Sequence, residues 1–134
     1  MNTKQKLLTP LPIDFDEETH RYIWKPTNEI MANSVTGITG FDMPESKRKG
    51  IEAYKHIWAP RGTAVHKALE CHLLDKPIPE EPKYEDWIGP LLTHQYFREF
   101  FKPLAVEYRV VDLKHSIGGT LDAYGIDTRT NKKV

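Results

Sequence analysis

LAVEYRVVDLKHSIGGTLDAYGID, residues 104–127, is where the periodicity of the chain changes. Upstream, apolar residues recur every three or four positions. Here they alternate, and Val, Tyr and Ile, which suit a pleated backbone, become frequent. Two strands are predicted, Leu104 to Asp112 and Ser116 to Asp127, with Leu113 to Ser116 as the turn. A further turn over Thr128 to Lys132 leads to a third strand that has barely begun at Val134. The 134 residues are therefore expected to be the N-terminal part of a longer domain, or a fragment of one, with the meander of 104–134 cut off in its third strand.

A turn centred between Lys114 and His115 sets Leu113 against Ser116, and Glu107 then falls opposite Asp122. Like charges directly opposite each other destabilise a strand pair. Such a pair is tolerated when a cation sits between the carboxylates, when one is protonated, or when both point into water. A bulge at Gly118-Gly119 would break the register. Thr120, Asp122 and Tyr124 share one face, Leu121 and Ala123 the other. The two glycines would let another backbone or a ligand approach closely. Taken alone, Asp122 is more simply a solvated strand carboxylate. Continuing the meander puts its partner on the third strand a few residues past Val134.

Upstream of the meander the chain reads as one domain. Residues 1–12 are expected to be flexible, 13–44 to hold a hairpin and a loop, and 45–103 to be helical. Ile13-Asp14-Phe15 and Tyr22-Ile23-Trp24 flank a turn over Asp16 to Thr19. Residues 34–40, SVTGITG, suit a loop or a short helical turn. Ser46 is predicted to cap a helix through Ile51, Tyr54, Ile57 and Trp58, ended by Pro60. A second helix should run from Arg61 to Leu74. Pro77, Pro79 and Pro82 mark a stiff connection. A third helix carries Trp87, Leu91, Leu92, Tyr96, Phe100 and Phe101, kinked or restarted at Gly89-Pro90 and stopped by Pro103.

Lys plus Arg is 19 and Asp plus Glu is 19, so bulk charge offers no hint of nucleic acid. Binding to phosphates would need a local patch, an oligomeric channel or metal ions. Lys47-Arg48-Lys49, and Arg129 with Lys132-Lys133, are the basic clusters, each more simply a solvated surface. No apolar run approaches the roughly 18 residues of a membrane span, and no signal peptide is visible. The single cysteine, Cys71, has no partner for an internal disulfide, which fits a reducing cytoplasm.

Residues 61–70, RGTAVHKALE, open the second predicted helix. Val65, Ala68, Leu69, His72 and Leu73 share a face, with His66 on its rim and Glu70 one turn on. By itself His66 is more simply a half-solvated edge residue. GTAVH on a helix, a Glu in the first strand of a meander and GGTLD in the second together resemble the PD-(D/E)XK nucleases, above all the RecB-like and phage-type exonucleases. The FDEETHRYIW hairpin followed by SVTGIT is similar to phage-encoded members. The resemblance runs from about Ile13 to Val134.

That resemblance implies a mixed α/β fold, a central mixed sheet flanked by helices as in restriction endonucleases, incomplete here. It implies hydrolysis of DNA phosphodiesters with Mg²⁺ or Mn²⁺, in phage-type DNA processing or recombination, and DNA as partner, with a homo-oligomer possible as in ring-shaped processive exonucleases. His66 matches a metal-ligating histidine, Asp122 the aspartate that bridges metals, and Glu107 a supporting acid. Gly62, Thr63, Gly119 and Thr120 match the small and hydroxyl positions around them. The third motif, an acid, one spacer and a lysine on the next strand, is not present up to Val134.

The chemistry suits these residues. Hard divalent cations prefer oxygen ligands and activate water. An imidazole is better tolerated by Mn²⁺ than by Mg²⁺. Arg61, Gly62 and Thr63 at a helix N-terminus would attract phosphate, and Glu70 would orient the His66 ring. The competing readings are a non-catalytic nucleic-acid-binding or assembly module that keeps the nuclease fold, and a metal hydrolase of another substrate.

Overall fold

The computed structural model describes residues 7–134, a mixed α/β arrangement of two sheets and several helices. Strands β1 (Ile13–Asp16), β2 (Arg21–Trp24) and β3 (Glu29–Ile30) form an antiparallel sheet in that order. Strand β4 (Asn33–Ser34) leads into α1 (Val35–Thr39), α2 (Glu45–Ala53), α3 (Lys55–Leu73) and α4 (Glu85–Thr93). The long hairpin of β5 (Phe101–Asp112) and β6 (Ile117–Asp127) follows, then β7 (Lys132–Lys133).

Strand β6 centres the second sheet. It pairs antiparallel with β5, parallel with β4 at Ile117–Gly118, and antiparallel with β7 at Ile126–Asp127. The sheet is thus mixed. An aspartate ends β1, β5 and β6, each of which enters a hairpin turn, and accepts hydrogen bonds from the turn's backbone. Asp16 accepts from the N–H groups of Glu18 and Thr19, Asp112 from that of His115, and Asp127 from that of Arg129. These side chains mimic backbone acceptors and fix where each strand stops.

The predicted register holds at the centre of the β5–β6 pair. Val106 faces Ala123 and Tyr108 faces Leu121, which sets Glu107 across from Asp122. The irregularity falls between Pro103 and Ala105, not at Gly118-Gly119. Both glycines are buried, and they serve packing rather than ligand approach. A Cβ on Gly118 would stand 2.5 Å from Cβ of Tyr22, and one on Gly119 2.8 Å from Cγ2 of Val35. Their bare backbone lets the first sheet and α1 close onto β6.

The helices depart from prediction at their boundaries. Pro60 does not end a helix, for α3 runs through it from Lys55. The loss is one intrahelical bond, the missing donor to His56. The break falls instead at Tyr54, which closes α2 and opens α3. Ser46 makes no cap, since Pro44 stands at that position and supplies none. At its other end α3 stops on Asp75 at φ 56°, with Lys76 N–H donating to Cys71 and Asp75 N–H to His72, a Schellman ending. Helix α4 passes Pro90 and ends at Thr93. Tyr96–Phe100 then form a π-turn, and Phe101 already belongs to β5. Pro103 therefore sits in a strand, at its bulge, where a missing donor does least harm.

Ile13, Tyr22 and Met31 are buried together, with Phe15, Trp24 and Val111 against them, so the hairpin sheet packs on the second sheet. Helix α3 packs against α4 and β5, with Ala68 and Cys71 buried. Of the stretch expected to be flexible, residues 1–6 lie outside the described residues. Residues 7–12 follow β5 through Leu8 N–H to Leu104 O, and the Tyr108 hydroxyl donates to Thr9 O. Among the described residues no helix is long and apolar enough to cross a membrane.

Candidate metal centre

Helix α3 and the β5–β6 hairpin bring three predicted residues together. His66 Nδ1 lies 3.2 Å from Asp122 Oδ1 and 3.5 Å from Glu107 Oε1. One donor atom from each of the three falls within 4.8 Å of the others. On β6, Asp122 shares its face with Thr120, whose hydroxyl is 2.7 Å from that of Tyr22. The hairpin sheet thus covers one end of this face, and α3 brings His66 to the other.

Glu107 has φ 48° in the middle of a strand. A left-handed conformation in a residue with a side chain costs on the order of 1–3 kcal/mol and persists where the surroundings enforce it. Glu107 is also the most enclosed of the three, with a side chain 34% exposed. Desolvation raises its pKa above the ordinary carboxylate value. The hydrogen bond from His66 opposes that rise, and the nearby charge of Asp122 adds to it.

The donor set fits a hard or borderline divalent ion: one imidazole nitrogen and two carboxylate oxygens. Adjacent ligands of an octahedral ion bound at about 2.1 Å stand about 3.0 Å apart, close to the two nitrogen–oxygen separations here. A protonated His66 can also satisfy the same two oxygens. Either cation answers the like-charge opposition of Glu107 and Asp122.

The other predicted residues divide. Gly62 and Thr63 line an open groove of about 930 Å³ together with His66, Glu70 and Glu107. A Cβ on Gly62 would meet nothing within 4 Å. Arg61 instead stacks on Trp87, its guanidinium 4.2 Å from the ring centre. None of residues 61–63 stands at a helix N-terminus, because α3 begins at Lys55 and their N–H groups lie in its interior. Glu70 is paired with Lys67 at 3.3 Å, and the His66 ring faces Glu107 and Asp122. Gly119 is buried under Val35, and Thr120 is held by Tyr22.

Five groove residues escaped sequence reasoning: Glu17, Trp58, Ala59, Lys67 and Arg109. Arg109 lies two positions from Glu107 on one strand, so period-2 alternation was a usable signal. Lys67 and Trp58 carried none beyond their place on the helix. No family model, curated protein or solved structure matches the chain.

Proposed function

We propose that the chain carries the metal-binding residues of a DNA nuclease of the PD-(D/E)XK type, with a restriction-endonuclease-like sheet and a phage-exonuclease-like use of His66. The convergence of His66, Glu107 and Asp122 carries this reading, because the motifs that suggested it are distant in sequence and meet at one point. His66, Asp122 and Glu107 would hold Mg²⁺ or Mn²⁺. Such an ion supplies Lewis acidity toward a phosphoryl oxygen and an activated water. The chain's own part is to fix the donors, to leave the groove open beside Gly62, and to line it with Lys67, paired with Glu70, and Arg109, whose guanidinium donates to Ile13 O.

Cleavage of linear duplex DNA with Mn²⁺, compared between the protein and its His66→Ala and Asp122→Asn variants, tests this. Removing even an outer-shell partner of a metal site costs about 10–100-fold, so loss of a ligand should cost at least about a hundredfold. Unchanged cleavage in both variants would remove these residues from the site. DNA binding without any cleavage would favour the non-catalytic module.

A further inference from the structure

The elbow between α2 and α3 carries an apolar depression that the metal centre does not explain. Lys47, Gly50, Ile51, Tyr54 and Trp58 line it. No residue of α2 is buried, and Tyr54 is 62% exposed. Trp58 is held in place across the elbow, its indole N–H donating to Ile51 O at 2.8 Å. The same Trp58 also borders the groove of His66 and Glu107. One fixed indole is therefore shared by the depression and the candidate site.

Three lysines surround these rings in sequence: Lys47, Lys49 and Lys55. Among the described residues none of them is in an ion pair. Exposed aromatic rings beside unpaired ammonium groups are what a single nucleic-acid strand requires, since bases stack on rings and phosphates seek cations. A second copy of the chain fits less well. Across a two-fold contact the patch would meet itself and bring Lys47, Lys49 and Lys55 toward like charges.

We infer that Tyr54 and Trp58, flanked by Lys47, form a stacking platform that takes a single DNA strand and leads it toward His66, Glu107 and Asp122. This rests on the nuclease reading for its direction, while the binding itself needs no metal. The platform accepts bases without regard to sequence, because every base presents a stacking face.

The test is fluorescence anisotropy of a labelled oligo-dT strand with the full chain in EDTA at low salt. Tyr54→Ala should weaken binding about tenfold. Tyr54→Phe should restore it, because the ring and not the hydroxyl is used. Lys47→Glu should weaken binding and flatten its salt dependence. Because binding is read in EDTA, loss of cleavage in the His66 and Asp122 variants bears on the nuclease reading and not on the platform. Equal affinity of Tyr54→Ala and the parent would overturn the platform. So would a concentration-dependent dimer, seen by sedimentation, that Tyr54→Ala abolishes, since a second copy would then cover the face.

Discussion

Nδ1 of His66 stands 3.2 Å from Oδ1 of Asp122 and joins the middle of α3 to the middle of β6. The same nitrogen reaches Glu107 at 3.5 Å, so one imidazole edge faces two carboxylates on neighbouring strands. Two like charges set across a strand pair are unfavourable unless a cation joins them, one is protonated, or both reach water. The stability and the chemistry of this corner should therefore respond together to protons and to divalent ions.

Glu107 supplies the first response. Its folded pKa is raised, chiefly by desolvation, so the ionised form is disfavoured in the fold. Stability should then fall as pH rises from the ordinary carboxylate range through the raised value, with the penalty absent below that range. In EDTA at neutral pH, Glu107→Gln should melt higher than the parent, by about 1 kcal/mol or less given its partial exposure. The gap should close below about pH 4. With Mn²⁺ present the order should reverse, because the amide is the poorer ligand. A variant that melts lower than the parent at neutral pH in EDTA would contradict the desolvation argument.

The turn aspartates respond with the opposite sign. The backbone N–H of Thr19 lowers the pKa of Asp16. The side chain of His115 does so for Asp112, and that of Arg129 for Asp127. Their contribution is present above the ordinary carboxylate range and is lost as pH falls through the lowered values. Urea unfolding of Asp112→Asn should show a deficit against the parent at about pH 6 that shrinks as pH falls below the ordinary carboxylate range. A deficit that persists at the acid end would mean that shape, not charge, holds this turn.

Two glycines should behave in opposite ways. Gly118→Ala places a methyl against the Tyr22 side chain, which its hydroxyl fixes to Thr120, and should cost about 1–3 kcal/mol through overpacking. Gly62→Ala meets nothing within 4 Å and lies inside a helix, so it should stabilise by about 0.5–1 kcal/mol. Urea unfolding separates the two, and equal effects would contradict the packing described for β6.

Local signals carried much of the architecture. The β1–β2 hairpin and the centre of the β5–β6 register followed from period-2 alternation and from turns held by side chains in their own segments. That register alone sets Glu107 against Asp122. Features set by distant partners were not legible. Pro60 looks like a helix end, yet α3 continues through it to pack on α4 and β5. Gly118 and Gly119 look like room for a ligand, and Tyr22 and Val35 fill that room. Arg61 looks like the start of a helix, yet α3 already begins at Lys55. The two-residue strands β3 and β4 are too short to show any period.

The central claim is that His66, Glu107 and Asp122 hold one divalent ion. Electron paramagnetic resonance of Mn²⁺ titrated into the protein at neutral pH tests it most directly, since an imidazole ligand leaves a nitrogen coupling on the bound ion. A bound signal with that coupling is predicted. The coupling should vanish in His66→Ala, and binding should weaken at least about tenfold in Asp122→Asn. Mn²⁺ that binds with no nitrogen coupling, or equally well in both variants, would contradict it.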